Sequence, residues 1–163
     1  MAHTAVHPPG QRYAYTCSIE KIMKLQPLPC YCATLRQAAR AVTALYEETL
    51  AESGIPVTQY TMIQVLKTAP GMQTTEAATL IGIDQTTATR TLALMKKSRL
   101  VASSLGVDRR ERRWRLTPLG ETLFREIQPQ WELAQRMIER RLGKVQALAL
   151  KNAAFNAASK LMG

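Results

Sequence analysis

From Cys30 to Leu50 the apolar residues Leu35, Ala38, Ala39, Val42, Leu45, Tyr46 and Leu50 recur every three or four positions, the spacing of one helix face. Glu52-Ser53-Gly54 and then Pro56 stop that helix. A second helix is expected from Thr58 as N-cap, carrying Tyr60, Met62, Ile63, Val65 and Leu66 and closed by Ala69-Pro70-Gly71. Thr74-Thr75-Glu76 reads as the start of a short third helix with Ala77, Ala78, Leu80 and Ile81 inside. Gly82-Ile83 makes a tight break, and Asp84 caps a fourth helix whose inward stripe is Ala88, Leu92 and Met95. That stripe turns Gln85, Thr86, Thr87, Thr89 and Arg90 outward. Two short helices joined by a glycine-containing turn have the pattern of a helix-turn-helix.

The period then changes from helical to two. Leu100 to Leu105 suits a strand, Arg113-Trp114-Arg115-Leu116 alternates charged and apolar residues, and Gly106 to Arg112 joins them, so a β-hairpin with an arginine-loaded tip is expected. Thr117-Pro118 opens a long helix through Leu119, Leu123, Phe124, Ile127, Trp131 and Ile138, thinned or kinked at Pro129 and ended by Gly143. An alanine-rich helix follows. Residues 1–29, with His3, His7, Pro8, Pro9, Gly10, Pro27 and Pro29, show no period and read as an irregular arm. The fold class is mainly α with a small β-hairpin, and 163 residues suit one domain.

Charge gives this pattern a purpose. The chain carries 22 Lys+Arg against 12 Asp+Glu, a net +10. The 32 residues from Asp84 to Arg115 hold nine basic and three acidic groups, so +6 of that excess lies on the fourth helix and the hairpin. A concentrated basic patch fits a polyanion. Aromatics make up only 6%, which disfavours a stacking platform for single strands, so double-stranded DNA is the expected partner. No apolar run reaches the ~18 residues of a membrane span, and the arginines lie in a polar hairpin without an apolar face, so a soluble, cytoplasmic protein with no membrane role is expected. Both histidines lie in the arm, and no paired carboxylates, phosphate-cradling glycine loop or nucleophile-base set stands out. The chain therefore reads as no enzyme and as needing no cofactor. Cys17, Cys30 and Cys32 are too few for a disulfide scaffold. A zinc site from His7, Cys17, Cys30 and Cys32 lacks the usual two-residue ligand spacing, so no metal is expected.

The run Asp108-Arg109-Arg110-Glu111-Arg112-Arg113-Trp114-Arg115-Leu116-Thr117-Pro118-Leu119-Gly120 resembles the wing of the MarR family of bacterial winged helix-turn-helix transcription regulators. That pattern is Asp, any residue, Arg, a basic strand, then Leu-Thr, two residues and Gly. Ile83 to Leu92 resembles the family's recognition helix, with Thr89-Arg90 at its middle, and Thr58-Gln59-Tyr60 falls in the usual place. Lys97-Ser98-Arg99-Leu100-Val101 resembles the basic exit into the wing, with Ser98 where the family more often has Gly. The likeness runs from Cys32 to about Arg141. It implies a homodimer held by helices within 30–53 and 118–162, winged helix-turn-helix lobes within 58–116, a pseudo-palindromic operator, and a repressor released by a small aromatic ligand or an oxidant.

In that frame Gln85 pairs with adenine, threonine hydroxyls reach phosphates, threonine methyls meet thymine methyls, and Arg90 binds a phosphate or a guanine. The resemblance makes Arg110 the minor-groove residue and gives Asp108 the task of holding the wing's shape, with Arg109, Arg112 and Arg113 as phosphate or steering charges. The plainer alternatives are an exposed polar helix face, solvated charges, or a winged helix used to bind protein. Arg36, Tyr46, Tyr60, Met62 and Trp131 are candidate ligand-pocket residues, each equally a core residue. Cys32 also resembles the reactive cysteine of the family's hydroperoxide-sensing branch: Thr43 stands eleven residues on, Tyr46 stands fourteen on, and Arg36 replaces the first of two tyrosines. Arginine one turn away favours a thiolate, and the sulfenic acid that a hydroperoxide would form on it would be resolved into a disulfide by Cys30 or Cys17 with loss of water. The plain alternative for Cys32 is a small residue at a dimer interface.

Overall fold

The computed structural model describes residues 29–106 and 111–162. By its internal contacts the chain falls into two units, residues 1–36 and 37–163, divided inside helix α1 (Tyr31–Leu50). Of the first unit the described part is residues 29–36, where α1 opens with Thr34 N–H donating to the Cys30 carbonyl at 3.0 Å. The second unit continues α1 into a 3-10 turn (Ala51–Ser53), then α2 (Val57–Thr68), β1 (Met72–Gln73), α3 (Thr74–Ile81), α4 (Gln85–Lys97), β2 (Val101–Leu105), β3 (Arg112–Leu116), α5 (Pro118–Leu142) and α6 (Lys144–Met162).

The helices and the hairpin lie where the periodicity puts them, with differences at the caps. Helix α2 begins one residue before Thr58, because the Pro56 carbonyl accepts the first helical bonds, from Gln59 N–H at 2.9 Å and Tyr60 N–H at 3.1 Å. The Glu47 carboxylate accepts from Val57 N–H at 3.0 Å, so an acidic side chain from α1 does the capping expected of Thr58. At α3 the cap residue is Gln73, whose N–H donates to Glu76 Oε2 at 2.7 Å. Strand β1 went unforeseen: two residues display no alternation, yet Met72 and Gln73 pair antiparallel with Trp114 and Arg113. The sheet therefore has three strands in the order β1-β3-β2, with Ser103 opposite Trp114 in the hairpin.

Two apolar clusters hold the second unit. One gathers Met62, Ile63 and Leu66 of α2, Ala77 and Ala78 of α3, Ala88, Leu92 and Met95 of α4, and Leu100, Val101 and Trp114. The other gathers Leu50, Tyr60 and Ile127, flanked by Trp131. Leu123 and Phe124 of α5 pack against both, so α5 is the shared wall. Trp114 also donates its indole N–H to Thr74 Oγ1 at 3.0 Å, which fixes the middle of β3 to the start of α3.

The turn between α3 and α4 uses Gly82 at φ 74°, a left-handed conformation that ends α3 at little steric cost. The corresponding residue after α4 is Arg99, at φ 60°, while Ser98 keeps φ −81°. The place that calls for glycine is thus one residue beyond the Ser98 position expected from the resemblance. Helix α5 runs through Pro129 unbroken; a proline there removes one ladder donor, and its exposed position leaves the freed carbonyl to water.

Gly120 explains the spacing Leu-Thr-x-x-Gly. A Cβ added there would lie 2.2 Å from the Leu100 carbonyl oxygen, a backbone atom with no room to yield. Helix propensity alone would make Gly120→Ala stabilising by up to about 1 kcal/mol. The clash reverses the sign, and a net loss on the order of 1–3 kcal/mol is expected in urea unfolding.

Asp84 caps α4 by accepting from Thr87 N–H at 2.8 Å and Thr87 Oγ1 at 2.6 Å. The hydroxyl bond first, then the backbone bond, holds its carboxyl below the usual carboxylate range. Asparagine caps nearly as well but carries no charge. Because the folded pKa is depressed, the ionic contribution is complete above the unfolded value and vanishes as pH falls through the folded one. Asp84→Asn should therefore melt below the wild type at pH 7, and the two melting curves should converge below about pH 4.

Candidate nucleic-acid interface

Helix α4 buries Ala88, Thr91, Leu92 and Met95 and exposes Gln85, Thr86, Thr87, Thr89 and Arg90, all five expected DNA contacts. Their side chains are not equivalent. Thr87 is tied to Asp84, and Thr89 Oγ1 donates back to the Gln85 carbonyl at 2.8 Å. Among the described residues Thr86 and Arg90 make no side-chain bond. Opposite the buried stripe, Thr86, Arg90, Ala93 and Lys97 follow one another at spacings of four, three and four, all exposed. The sequence places Lys97 only in the basic exit into the wing and does not single out Ala93, although spacing from Thr86 finds both on this face. Lys96 leans the other way and donates to Ser103 Oγ on β2 at 3.2 Å, linking helix to hairpin.

Of the expected wing residues, Asp108, Arg109 and Arg110 lie outside the described residues. Arg112 is exposed at the start of β3. Arg113 is engaged within the protein: its guanidinium donates to the Gly71 carbonyl at 3.2 Å and lies 3.5 Å from Glu111 Oε2. Its side chain remains about 42% exposed, enough to present charge while bracing β3 against the turn before β1. Arg115, on the same face of β3, is exposed.

The expected pocket residues separate. Tyr60 and Trp131 border one apolar cluster, whereas Met62 is fully buried in the other. Tyr46 is half-buried and accepts a hydrogen bond from Gln135 Nε2, and burial pushes its phenol up despite that bond. Tyr60 is 1% exposed, stacks on Phe124 at 6.1 Å between ring centroids, and has no partner for its hydroxyl among the described residues. Burial, and secondarily the Glu132 charge, pushes its pKa up to about 12. A cleft of about 290 Å³ opens elsewhere, between α2, β1 and α3, lined by Val65, Ala69, Met72 and Leu80 among others. In the first unit Cys30 and Cys32 are exposed free thiols, and Arg36 Nη2 donates to Cys32 Sγ at 3.4 Å. Cys17 lies outside the described residues. Among those described, no three His, Cys, Asp or Glu side chains group to hold a metal, and no helix is long and apolar enough to cross a membrane.

Residues 53–111 match the model of the MarR family. No curated protein sequence matches the chain. Among solved structures, the M. tuberculosis transcriptional regulator MosR in complex with DNA is 28% identical, with a TM-score of 0.72 over 82% of this chain and 96% of that one. NadR in complex with 4-hydroxyphenylacetate is 25% identical, with a TM-score of 0.66 over 82% of this chain and 98% of that one. BpsR of Bordetella bronchiseptica, whose DNA binding is regulated by 6-hydroxynicotinic acid, shares the fold at 23% identity and a TM-score of 0.71, over 78% of this chain and 97% of that one. The family and these structural neighbours are regulators of transcription rather than enzymes: residues 53–111 of the chain match the MarR family, and the chain has the winged helix-turn-helix fold of its DNA-binding transcriptional regulators.

Proposed function

We propose that the chain is a sequence-specific repressor that binds a pseudo-palindromic duplex as a homodimer and is released by a small aromatic ligand. The observation that carries this reading is the outward stripe of α4, beside a hairpin whose strand β3 exposes Arg112 and Arg115. A major groove admits one helix, and the flanking arginines meet phosphates. Dimerisation is supported by α6, which leaves Val145, Leu148, Phe155 and Leu161 exposed, Val145 at 83% and Leu161 at 85%; a helix this apolar calls for a second surface. Release by an aromatic ligand is supported by the unpartnered, buried Tyr60 hydroxyl, a donor suited to a carboxylate or phenol. The chain's likeness to NadR, solved with 4-hydroxyphenylacetate, points the same way.

Selection from a random duplex library with the full chain should return two inverted half-sites about one helical turn apart. On that duplex log Kd should rise with log salt by ~0.9 per phosphate neutralised, and a flat dependence would sink the electrostatic reading. Arg110→Ala, at the minor-groove place of the motif, should weaken binding by about 1–3 kcal/mol, measured by fluorescence anisotropy.

A second reading has its own observation. Arg36 donates to the sulfur of Cys32, an exposed thiol open to peroxide, which makes oxidation an alternative release signal. Wild-type protein should then lose operator binding after hydroperoxide treatment while Cys32→Ser keeps it; equal responses from the two proteins would remove this role.

A further inference from the structure

We propose that α4 reads base edges through the single stripe Thr86, Arg90 and Ala93, and that Thr87 and Thr89 take no part in it as hydrogen-bond donors. This deepens the reading of the chain as a sequence-specific regulator. A threonine hydroxyl has one proton. That of Thr87 goes to the Asp84 carboxylate at 2.6 Å, a charge-assisted bond that also caps the helix. That of Thr89 goes to the Gln85 carbonyl at 2.8 Å. Phosphate oxygens and the acceptor atoms of base edges only accept, so either hydroxyl would have to give up this side-chain bond within the helix to donate to DNA. Thr86 has no such prior engagement, and Arg90 is not ion-paired among the described residues.

Position agrees with chemistry. Thr86, Arg90 and Ala93 lie opposite the buried Ala88, Leu92 and Met95, so they occupy the crest of the helix that enters deepest into a groove. Thr87 lies on the flank of that crest. From Thr86 to Ala93 the helix rises ~10 Å, about three base-pair steps. Ala93 ends in a methyl group, which lets the backbone come close and meets the C5 methyl of a thymine. Lys97, one turn further on, is left for a phosphate. The half-site is therefore read as one hydrogen-bonded step at Thr86, one arginine step at Arg90, and one thymine methyl at Ala93.

Thr→Val keeps shape and methyl while removing the hydroxyl, which makes it the informative exchange. On the duplex selected by the wild-type full chain, Thr89→Val should leave Kd within about twofold and the selected motif unchanged. Thr86→Val should weaken binding about fivefold or more and relax one position of the motif, and Arg90→Ala should relax a second. Replacing each thymine by uracil should find at least one position per half-site that costs the wild type about fivefold and costs Ala93→Ser nothing further. Thermal melting of each variant confirms that it is folded. Should Thr89→Val relax the motif, or Thr86→Val leave it intact, the proposal is overturned while the regulator reading stands. A wild-type chain that selects no motif would overturn both.

Discussion

The carbonyl oxygen of Leu100 fixes the join on which the winged helix-turn-helix depends. It accepts Thr117 N–H at 3.0 Å and the Thr117 hydroxyl at 3.2 Å, while that hydroxyl also lies 2.6 Å from the Arg99 carbonyl. Leu100 in turn donates its own N–H to the Met95 carbonyl at 2.9 Å, closing α4. One residue thus ends α4, starts the hairpin and seats the first turn of α5, where Thr117 Oγ1 accepts from Gly120 N–H at 3.1 Å. The backbone of Gly120 lies so close to this carbonyl that no side chain fits between them. Trp114 completes the arrangement from the other side of the sheet by its bond to Thr74. Helix α4 and the hairpin are consequently parts of one rigid piece, and their relative aim is set by backbone groups rather than by flexible side chains.

Much of this was legible before any coordinates. Apolar residues three and four apart marked every helix, because burial of one face is what stabilises a helix in a folded protein. Asp84, Thr117 and Gly143 announced helix boundaries through their own chemistry, and the structure puts them at those boundaries. The misreadings share a cause. Glu47 caps α2 from ten residues away, β1 exists only because β3 offers it an edge, and Arg99 takes a left-handed conformation that Leu100 and Thr117 impose. Each is decided by a partner distant in the chain, and local pattern carries no trace of it.

The candidate interface is legible in the sequence as a set of exposed residue types on α4, and its side-chain bonds are not. Five polar side chains on α4 look alike in sequence, and all five are exposed. Which hydroxyls are available depends on Asp84 and on the Gln85 carbonyl, a local competition that the letters Thr-Thr-Ala-Thr do not display. Arg113 shows the converse. It counts towards the same +6 as its neighbours, yet its guanidinium braces Gly71 and Glu111. Tyr60 and Met62 sit two residues apart on one helix and serve different clusters, as the helical period dictates once α5 is placed as the wall between them.

The tight seat of α5 on Leu100 separates what can vary in such a regulator from what cannot. The join is made by residues 95–101 and 114–120, and it leaves no room for a side chain at Gly120. Among the described residues, Gly106 and Glu111, which flank the link between the strands, supply no atom to it. The same holds for the crest of α4, whose exposed residues are not among those that pack the core. The surface is in this sense modular: the exposed residues of α4 can be exchanged one by one while the scaffold behind them keeps its geometry.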